Sequence, residues 1–249
     1  LDIIILGTSS PDRNYPSDAC SVQAAIGAVN AVAFDISAAC AGFIFAMNIV
    51  EGFFKAGIYK TALIIGAETL SKVTDWNDRG TCVLFGDGAG AAVLKAEETG
   101  IIDMMMGADG TKGDVLACTS RTVGNFLTGT KPELGFMTMD GQEVFKFAVR
   151  KVPESVMELL QRTGTKKEDI KYYVLHQANE RIIEAAARRL KEPMEKFPMT
   201  ISQFGNTSTA SIPLLLDDMI RKDMLKRGDK IIMSGFGAGM TWGAVLMEW

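Results

Sequence analysis

Three residue types in this chain can together attack a thioester and stabilise the negative charge that develops: Cys40, His176 and Asn206. Cys40 lies in FDISAACAGFIFAMNIVEGFF, where a short apolar strand turns through small residues into a helix. The thiolate is the reactive form of cysteine, and a helix N-terminus raises its population by aiming unpaired N–H groups and positive dipole at the sulfur. Ser37, Ala38, Ala39, Ala41 and Gly42 leave room for a substrate carbonyl. The competing reading is a small buried apolar residue, the usual fate of a free cysteine. His176 is the only histidine of the chain; it follows the strand KYYVL and opens the polar turn HQAN. Open α/β sheets place ligand-binding groups at such strand ends, although a lone histidine also serves as a hydrogen-bonded structural residue. Asn206, in FGNTSTAS, occupies the corresponding turn before the next helix, where it equally suits a helix cap.

The elements that must position these groups repeat. The first half reads as the strand DIIIL, a helix near 17–26, the strand VAFDI, Cys40 and a helix to Lys55, the strand TALIIGAE, and GDGAGAAVLKAE. The second reads as KYYVL, HQAN, a helix Glu180–Leu190, GNTSTAS, a helix Ile212–Leu225, the strand IIMSG, and GAGMTWGAVLME. β-Branched runs alternating with helix-length patterns predict an α/β protein with largely buried sheets, and the repetition predicts a duplicated fold. The halves are drawn at 1–98 and 99–249. The second half alone begins with a further strand near Ile101–Met105 and a helix near 141–162. By symmetry a strand–helix layer of roughly 70–80 residues would precede Leu1, leaving the first half incomplete.

Bulk properties narrow the classes. The net charge of −4 argues against a general nucleic-acid binder. The four cysteines have no metal-ligand spacing, and with one histidine a zinc site is not expected. Their sparse use fits a reducing cytoplasm. The longest apolar stretch, Ala41–Val50, is too short to span a bilayer and reads as a buried core helix. GDGAGA matches a dinucleotide fingerprint formally, but AAVLKAE continues it as a strand, where that motif needs a helix. Arg181, Arg188, Arg189 and Lys191 gather on and near the helix after His176, either as a solvated face or as a dock for an acidic carrier or phosphate-bearing cofactor.

AACAGF around Cys40, LHQANERI around His176, FGNTSTAS around Asn206 and GFGAGMTWG near the C-terminus resemble the β-ketoacyl-acyl carrier protein synthase III family. The resemblance implies a thiolase-like fold, with duplicated α/β halves layered α-β-α-β-α and central buried helices between mixed sheets. It implies an acyltransferase that condenses an acyl-CoA primer, typically acetyl-CoA, with malonyl-acyl carrier protein and so begins fatty-acid synthesis. Coenzyme A thioester would be a substrate, with no permanently bound cofactor. The partner would be acyl carrier protein, the assembly a homodimer and the location cytoplasmic, with neither nucleic acid nor membrane involved. Cys40 would carry the acyl group while His176 and Asn206 hold the malonyl thioester oxygen. The backbone N–H groups of Cys40 and Ala238 would form the oxyanion hole, Ala238 standing where many members carry glycine. Arg79, Asn179 and Arg181 would contact coenzyme A or its pantetheine arm. Phe85 would line the acyl pocket, with Tyr15 reaching across to the partner subunit's. Lys146, Arg181, Arg188 and Arg189 would dock the carrier. Alternatives are another thiolase-fold starter enzyme of polyketide type, a Cys-His-Asn hydrolase, or an inactive acyl-carrier-binding protein.

Overall fold

The computed structural model describes residues 1–249 except 121 and 134. Runs such as Ile3-Ile4-Ile5-Leu6 are apolar on both faces, which suits a strand covered on both sides. The first sheet holds β1 (Ile3–Gly7), β2 (Val32–Ile36), β3 (Thr61–Glu68) and β4 (Gly88–Lys95), in the order β2-β1-β3-β4. β1 runs parallel to β2 and β3, and β4 is antiparallel to β3. After β5 (Ile101–Ala108) comes a small ribbon, β6 (Leu116–Cys118) with β7 (Met137–Met139). The second sheet combines β5 with β8 (Ile170–Leu175), β9 (Lys230–Gly237) and β10 (Thr241–Glu248), in the order β5-β10-β9-β8. β8 and β9 are parallel, and β10 is antiparallel to both neighbours. GDGAGA enters β4 at Gly88, as its rejection as a dinucleotide loop requires.

Alternation along the strands builds the layers. Ile3 and Ile5 join the same apolar cluster as Val174, Ile231, Met233 and Val245 of the other sheet. Between them lie α2 (Gly42–Lys55), through Phe43, Ile44, Met47 and Val50, and α6 (Ser211–Arg221), through Ile212, Leu215 and Met219. Ile4 and Leu6 point the other way, towards α1 (Asp18–Ala25). On the far side of the second sheet, α3 (Gly141–Thr163) and α4 (Glu180–Leu190) cover Tyr173, Leu175 and Ile232. The order is the thiolase-like α-β-α-β-α, with α2 and α6 as the central layer.

β4 and β10 hold like positions in their sheets but differ in cover. β10 lies between β5 and β9 and is buried along its middle, whereas β4 is an edge strand with Val93 66% exposed. The first sheet contains no counterpart of β5, and α3 has none on that side, among the described residues. One boundary differs from the sequence reading: the helix expected to reach Leu225 stops at Arg221. Asp223 takes a left-handed conformation (φ 53°) and Met224 N–H bonds back to Met219 O, which closes the helix. Among the described residues no helix is long and apolar enough to cross a membrane, and no cluster of His, Cys, Asp and Glu could hold a metal ion.

Candidate active site

The turn between β2 and α2 tightens to a 3₁₀ turn over Ala39–Ala41, so Cys40 sits just before the helix, buried in the central layer. Ala39 adopts φ 45°, a strained region for a residue with a Cβ that persists only where surroundings hold it. The hold is visible. Thr209 Oγ1 lies 2.8 Å from Ala39 O, and Thr241 Oγ1 donates to Ala38 O at 3.2 Å. β9 presses against the same turn without side chains: a Cβ on Gly237 would lie 2.6 Å from Cys40 N, and one on Gly235 would lie 3.2 Å from Cys40 O. GFGAG thus brings its backbone, next to Ala238, against Cys40.

Burial decides the resting state of the thiol. It pushes Cys40 up to about 12, with the Glu68 carboxylate adding to the rise and a hydrogen bond with Ser208 opposing it. The resulting opposition to ionisation is on the order of 4 kcal/mol, whereas a helix N-terminus returns about 2 kcal/mol at most. The helix N-terminus therefore does not make Cys40 a resting thiolate, as its place in the sequence suggested. The resting sulfur is the thiol.

His176 follows β8 and is sealed in the core, its backbone N–H donating to Ser234 O at 2.8 Å and its ring meeting Phe236 edge-on at 5.4 Å. Burial lowers it to about 3, so the ring is neutral. Its Nδ1 lies 2.6 Å from the Oγ of Ser211, which also accepts the Gln177 N–H at 3.3 Å. The Ser211 proton is then free to go to Nδ1, which leaves the proton of the ring on Nε2.

Asn206 is buried in the turn between the short α5 (Ile201–Phe204) and α6, so it follows a helix and not a strand, and Leu84–Gly86 grips its backbone: Asn206 N–H donates to Leu84 O at 2.8 Å and Gly86 N–H to Asn206 O at 2.9 Å. Its Oδ1 accepts the Ser208 N–H at 2.9 Å, as the turn reading requires. That assignment fixes the amide orientation and leaves Nδ2, which donates to no protein atom among the described residues. Residues 206–211 thus connect all three groups: Asn206 begins the segment, Ser208 and Thr209 reach the Cys40 turn, and Ser211 reaches His176.

The remaining expected residues are spread more widely. Phe85 bridges to Asn206 through its backbone and packs partly buried on the core of the second sheet. Tyr15 is 85% exposed, so it does not line a pocket of its own chain. Asn179 caps α4, its Oδ1 accepting the Arg181 N–H at 2.9 Å. Arg79 and Arg181 are exposed, neither paired with a carboxylate among the described residues. The outer cations are paired: Lys146 with Glu143 at 2.7 Å, Arg188 with Glu184 at 3.6 Å and Arg189 with Glu154 at 3.9 Å. Such exposed pairs exchange easily and do not prevent docking. Sequence reasoning missed Glu68, Ser208, Thr209 and Ser211. The carboxylate of Glu68 is buried at the end of β3 and surrounded by hydroxyls; its one sequence signal is an acidic residue closing an otherwise apolar strand.

The family model described as 3-oxoacyl-[acyl-carrier-protein] synthase III matches residues 34–110, and that of the C-terminal part of the same enzyme matches residues 160–249. The chain is 51% identical to a β-ketoacyl-[acyl-carrier-protein] synthase III of Clostridium acetobutylicum, over all of this chain and 77% of that protein. It is 53% identical to the protein of that name from Clostridium novyi, over all of this chain and 78% of the relative. Among solved structures, the 3-oxoacyl-[acyl-carrier-protein] synthase III of Aquifex aeolicus superposes with a TM-score of 0.92 at 46% identity, covering this chain fully and 77% of the other. With family models, relatives and fold in agreement, the chain belongs to the β-ketoacyl-[acyl-carrier-protein] synthase III family.

Proposed function

We propose that the chain catalyses the decarboxylative condensation of an acyl-CoA, acetyl-CoA in the first instance, with malonyl-acyl carrier protein, and that Cys40, His176 and Asn206 carry it out. The observation that supports this reading most directly is the 206–211 segment, whose side chains contact both the Cys40 turn and His176. In the first half-reaction Cys40 Sγ attacks the thioester carbonyl. The oxyanion is held by the N–H groups of Cys40 and Ala238, and coenzyme A leaves with the thiol proton. In the second, the malonyl C–C bond breaks to release carbon dioxide. The enolate oxygen is held by two neutral donors, His176 Nε2–H and Asn206 Nδ2–H, which bind more strongly as charge develops. The enolate carbon then attacks the acyl carbonyl, the C–S bond breaks with its electron pair passing to sulfur, and the Cys40 thiolate takes one proton from solvent. Coenzyme A enters as a substrate, and the reaction needs no resident cofactor.

Arg79, Asn179 and Arg181 are assigned to coenzyme A and pantetheine, and Lys146, Arg181, Arg188 and Arg189 to the carrier protein. Phe85 is assigned to the acyl pocket. Residues 1–98 and 99–249 are read as the two halves of the duplication, and the protein as cytoplasmic. A homodimer is proposed through β2, an edge strand with Val32 46% exposed, placing the Tyr15 of each protomer at the other's pocket. Mass spectrometry after incubation with acetyl-CoA tests the chemistry. An acetyl group on Cys40 that persists until malonyl-acyl carrier protein is added supports condensation. His176→Ala is expected to take the acetyl group and release no carbon dioxide. Absence of the adduct on folded protein, or rapid loss of it to water alone, refutes the proposal.

A further inference from the structure

We propose that Glu68 is a positioning residue for acyl transfer at Cys40: its carboxylate orders the Ser208 and Thr209 hydroxyls that hold the nucleophile turn and fixes which way the hydrogen bonds around the sulfur run. The inference rests on the reading of Cys40 as the acylated residue. Glu68 is only 4% exposed, and no Lys, Arg or His pairs with it among the described residues. It is satisfied instead by uncharged donors from separate segments. Ser9 N–H donates to Oε2 at 3.0 Å and Ser10 Oγ at 2.6 Å, while Ser208 Oγ and Thr209 Oγ1 both lie 2.9 Å from Oε1. Thr8 Oγ1 makes a longer contact at 3.4 Å. A buried charge is retained only with such partners, and losing any of them is costly.

Counting protons gives the arrangement a direction. Ser208 has one hydroxyl proton, which lies with Glu68 Oε1 at 2.9 Å while Cys40 is the thiol; its hydrogen bond with the sulfur opposes the rise of the thiol, so that proton turns to the sulfur as it ionises. Thr209 also has one, placed between Glu68 Oε1 at 2.9 Å and Ala39 O at 2.8 Å. Glu68 thereby reaches the hydroxyl beside the sulfur and one of the two threonines that pin the turn. Ser208 itself has φ 48° and Ala39 φ 45°, two strained positions flanking one carboxylate. The same carboxylate opposes ionisation of the sulfur by like charge.

Few other charges face Cys40. From β8 there is His176, neutral by burial. β9 carries only Lys230 and β10 only Glu248, each at the end of its strand remote from the turn. α2 carries Glu51 and Lys55, more than two helical turns from Cys40, and the 208–210 turn carries none.

The test is the rate of iodoacetamide alkylation at Cys40, mapped by peptide mass spectrometry across pH, beside the rate of condensation. Glu68→Gln removes the charge and is expected to alkylate about tenfold faster at pH 8, with the log-rate curve displaced by about one unit to lower pH. Its condensation is expected to fall at least about tenfold, because the amide offers one acceptor oxygen in place of two and turns an NH2 donor on either the Ser208–Thr209 pair or the Ser9–Ser10 pair. Glu68→Asp keeps the charge on a shorter arm, so its alkylation curve stays near that of the wild type while condensation falls. A merely structural role would lower condensation without moving the alkylation curve of the glutamine variant, and that outcome overturns the proposal. Should Glu68→Gln fail to fold, Ser208→Ala takes its place. Loss of the hydroxyl beside the sulfur is then expected to displace alkylation to higher pH, and an unmoved curve overturns the proposal. Alkylation is read on Cys40 whether or not it accepts an acetyl group, so failure of the acyl-carrier role of Cys40 registers separately in the adduct experiment.

Discussion

A histidine sealed in the core as the neutral imidazole makes folding sensitive to acid. The unfolded chain protonates His176 near 6.5 and the folded one near 3, so between these values the unfolded state holds one proton more. Stability therefore stands in full above about pH 6.5 and falls as pH drops towards 3, by about 1.4 kcal/mol per pH unit from this group. Cys40 mirrors it at the other limb: raised from 9.0 to about 12, it leaves stability intact below pH 9 and erodes it as pH rises towards 12. Replacing His176 by Gln removes the acid term alone. Urea unfolding at pH 6.5 and 5.0 is expected to show the wild type losing about 2 kcal/mol more than the variant across that interval. Equal losses would mean that His176 is not held neutral. On the proposed mechanism, an imidazole that stays neutral would keep one ring proton for the enolate oxygen.

At the scale of elements, the site depends on how closely β9 meets the β2–α2 turn. Gly237 matters for its missing side chain: a Cβ there would meet Cys40 N at 2.6 Å, Ala39 Cβ at 3.1 Å and Cys40 Cα at 3.2 Å. The atoms it meets belong to a turn already pinned by Thr209 and Thr241, so the turn must move bodily. Gly237→Ala is expected to slow acetylation of Cys40 by about a hundredfold, the cost of misplacing a reacting atom by about 1 Å. Gly235→Ala, whose nearest contact would be 3.2 Å, is expected to cost far less. Equal acetylation rates in the two variants would refute the close approach. Much of this level was legible beforehand. α4 spans Glu180–Leu190, as its amphipathic spacing indicated, and Cys40 and His176 stand at strand-to-helix turns because small and polar residues interrupt apolar runs there, whereas Asn206 follows a short helix, not a strand. The network behind them was not legible. Glu68 ends a strand as many acidic residues do, and Ser208, Thr209 and Ser211 look like ordinary first-turn residues. Their meaning comes from contacts such as Ser208 to Glu68, 140 positions apart, which no local pattern encodes. The resting state of the thiol was not legible for a related reason: the helix N-terminus is local and visible, while burial is a property of the packed layers.

For the molecule as a whole, the two sheets place their edges differently. β10 is covered on both sides by β5 and β9, whereas β2 and β4 both end the first sheet. An uncovered edge strand offers a row of unpaired N–H and C=O groups to any second strand, and charge or proline usually guards it. β2 reads VAFDI, with no proline or lysine, and its one acid is already engaged: Asp35 accepts the N–H groups of Asp18 and Ala19 at 2.8 Å. Beside it Val32 is 46% exposed, Ile26 52%, Val29 79% and Tyr15 85%, an apolar margin continuous with the strand. Pairing of β2 with its copy in a second molecule would join the two first sheets about a twofold axis, since antiparallel self-pairing of one edge is isologous by construction. It would also bury the margin and bring the outward-facing Tyr15 of each protomer towards the other. Sedimentation at micromolar concentration is expected to give a dimer for the unmodified chain. Val32→Lys, which places a charge on the apolar margin that pairing would bury, is expected to shift the population to monomer and to slow acetylation of Cys40 with it. A monomeric unmodified chain, or a Val32→Lys dimer of undiminished stability, would remove β2 as the interface. Loss of the dimer with unchanged acetylation would separate assembly from catalysis and return Tyr15 to the surface.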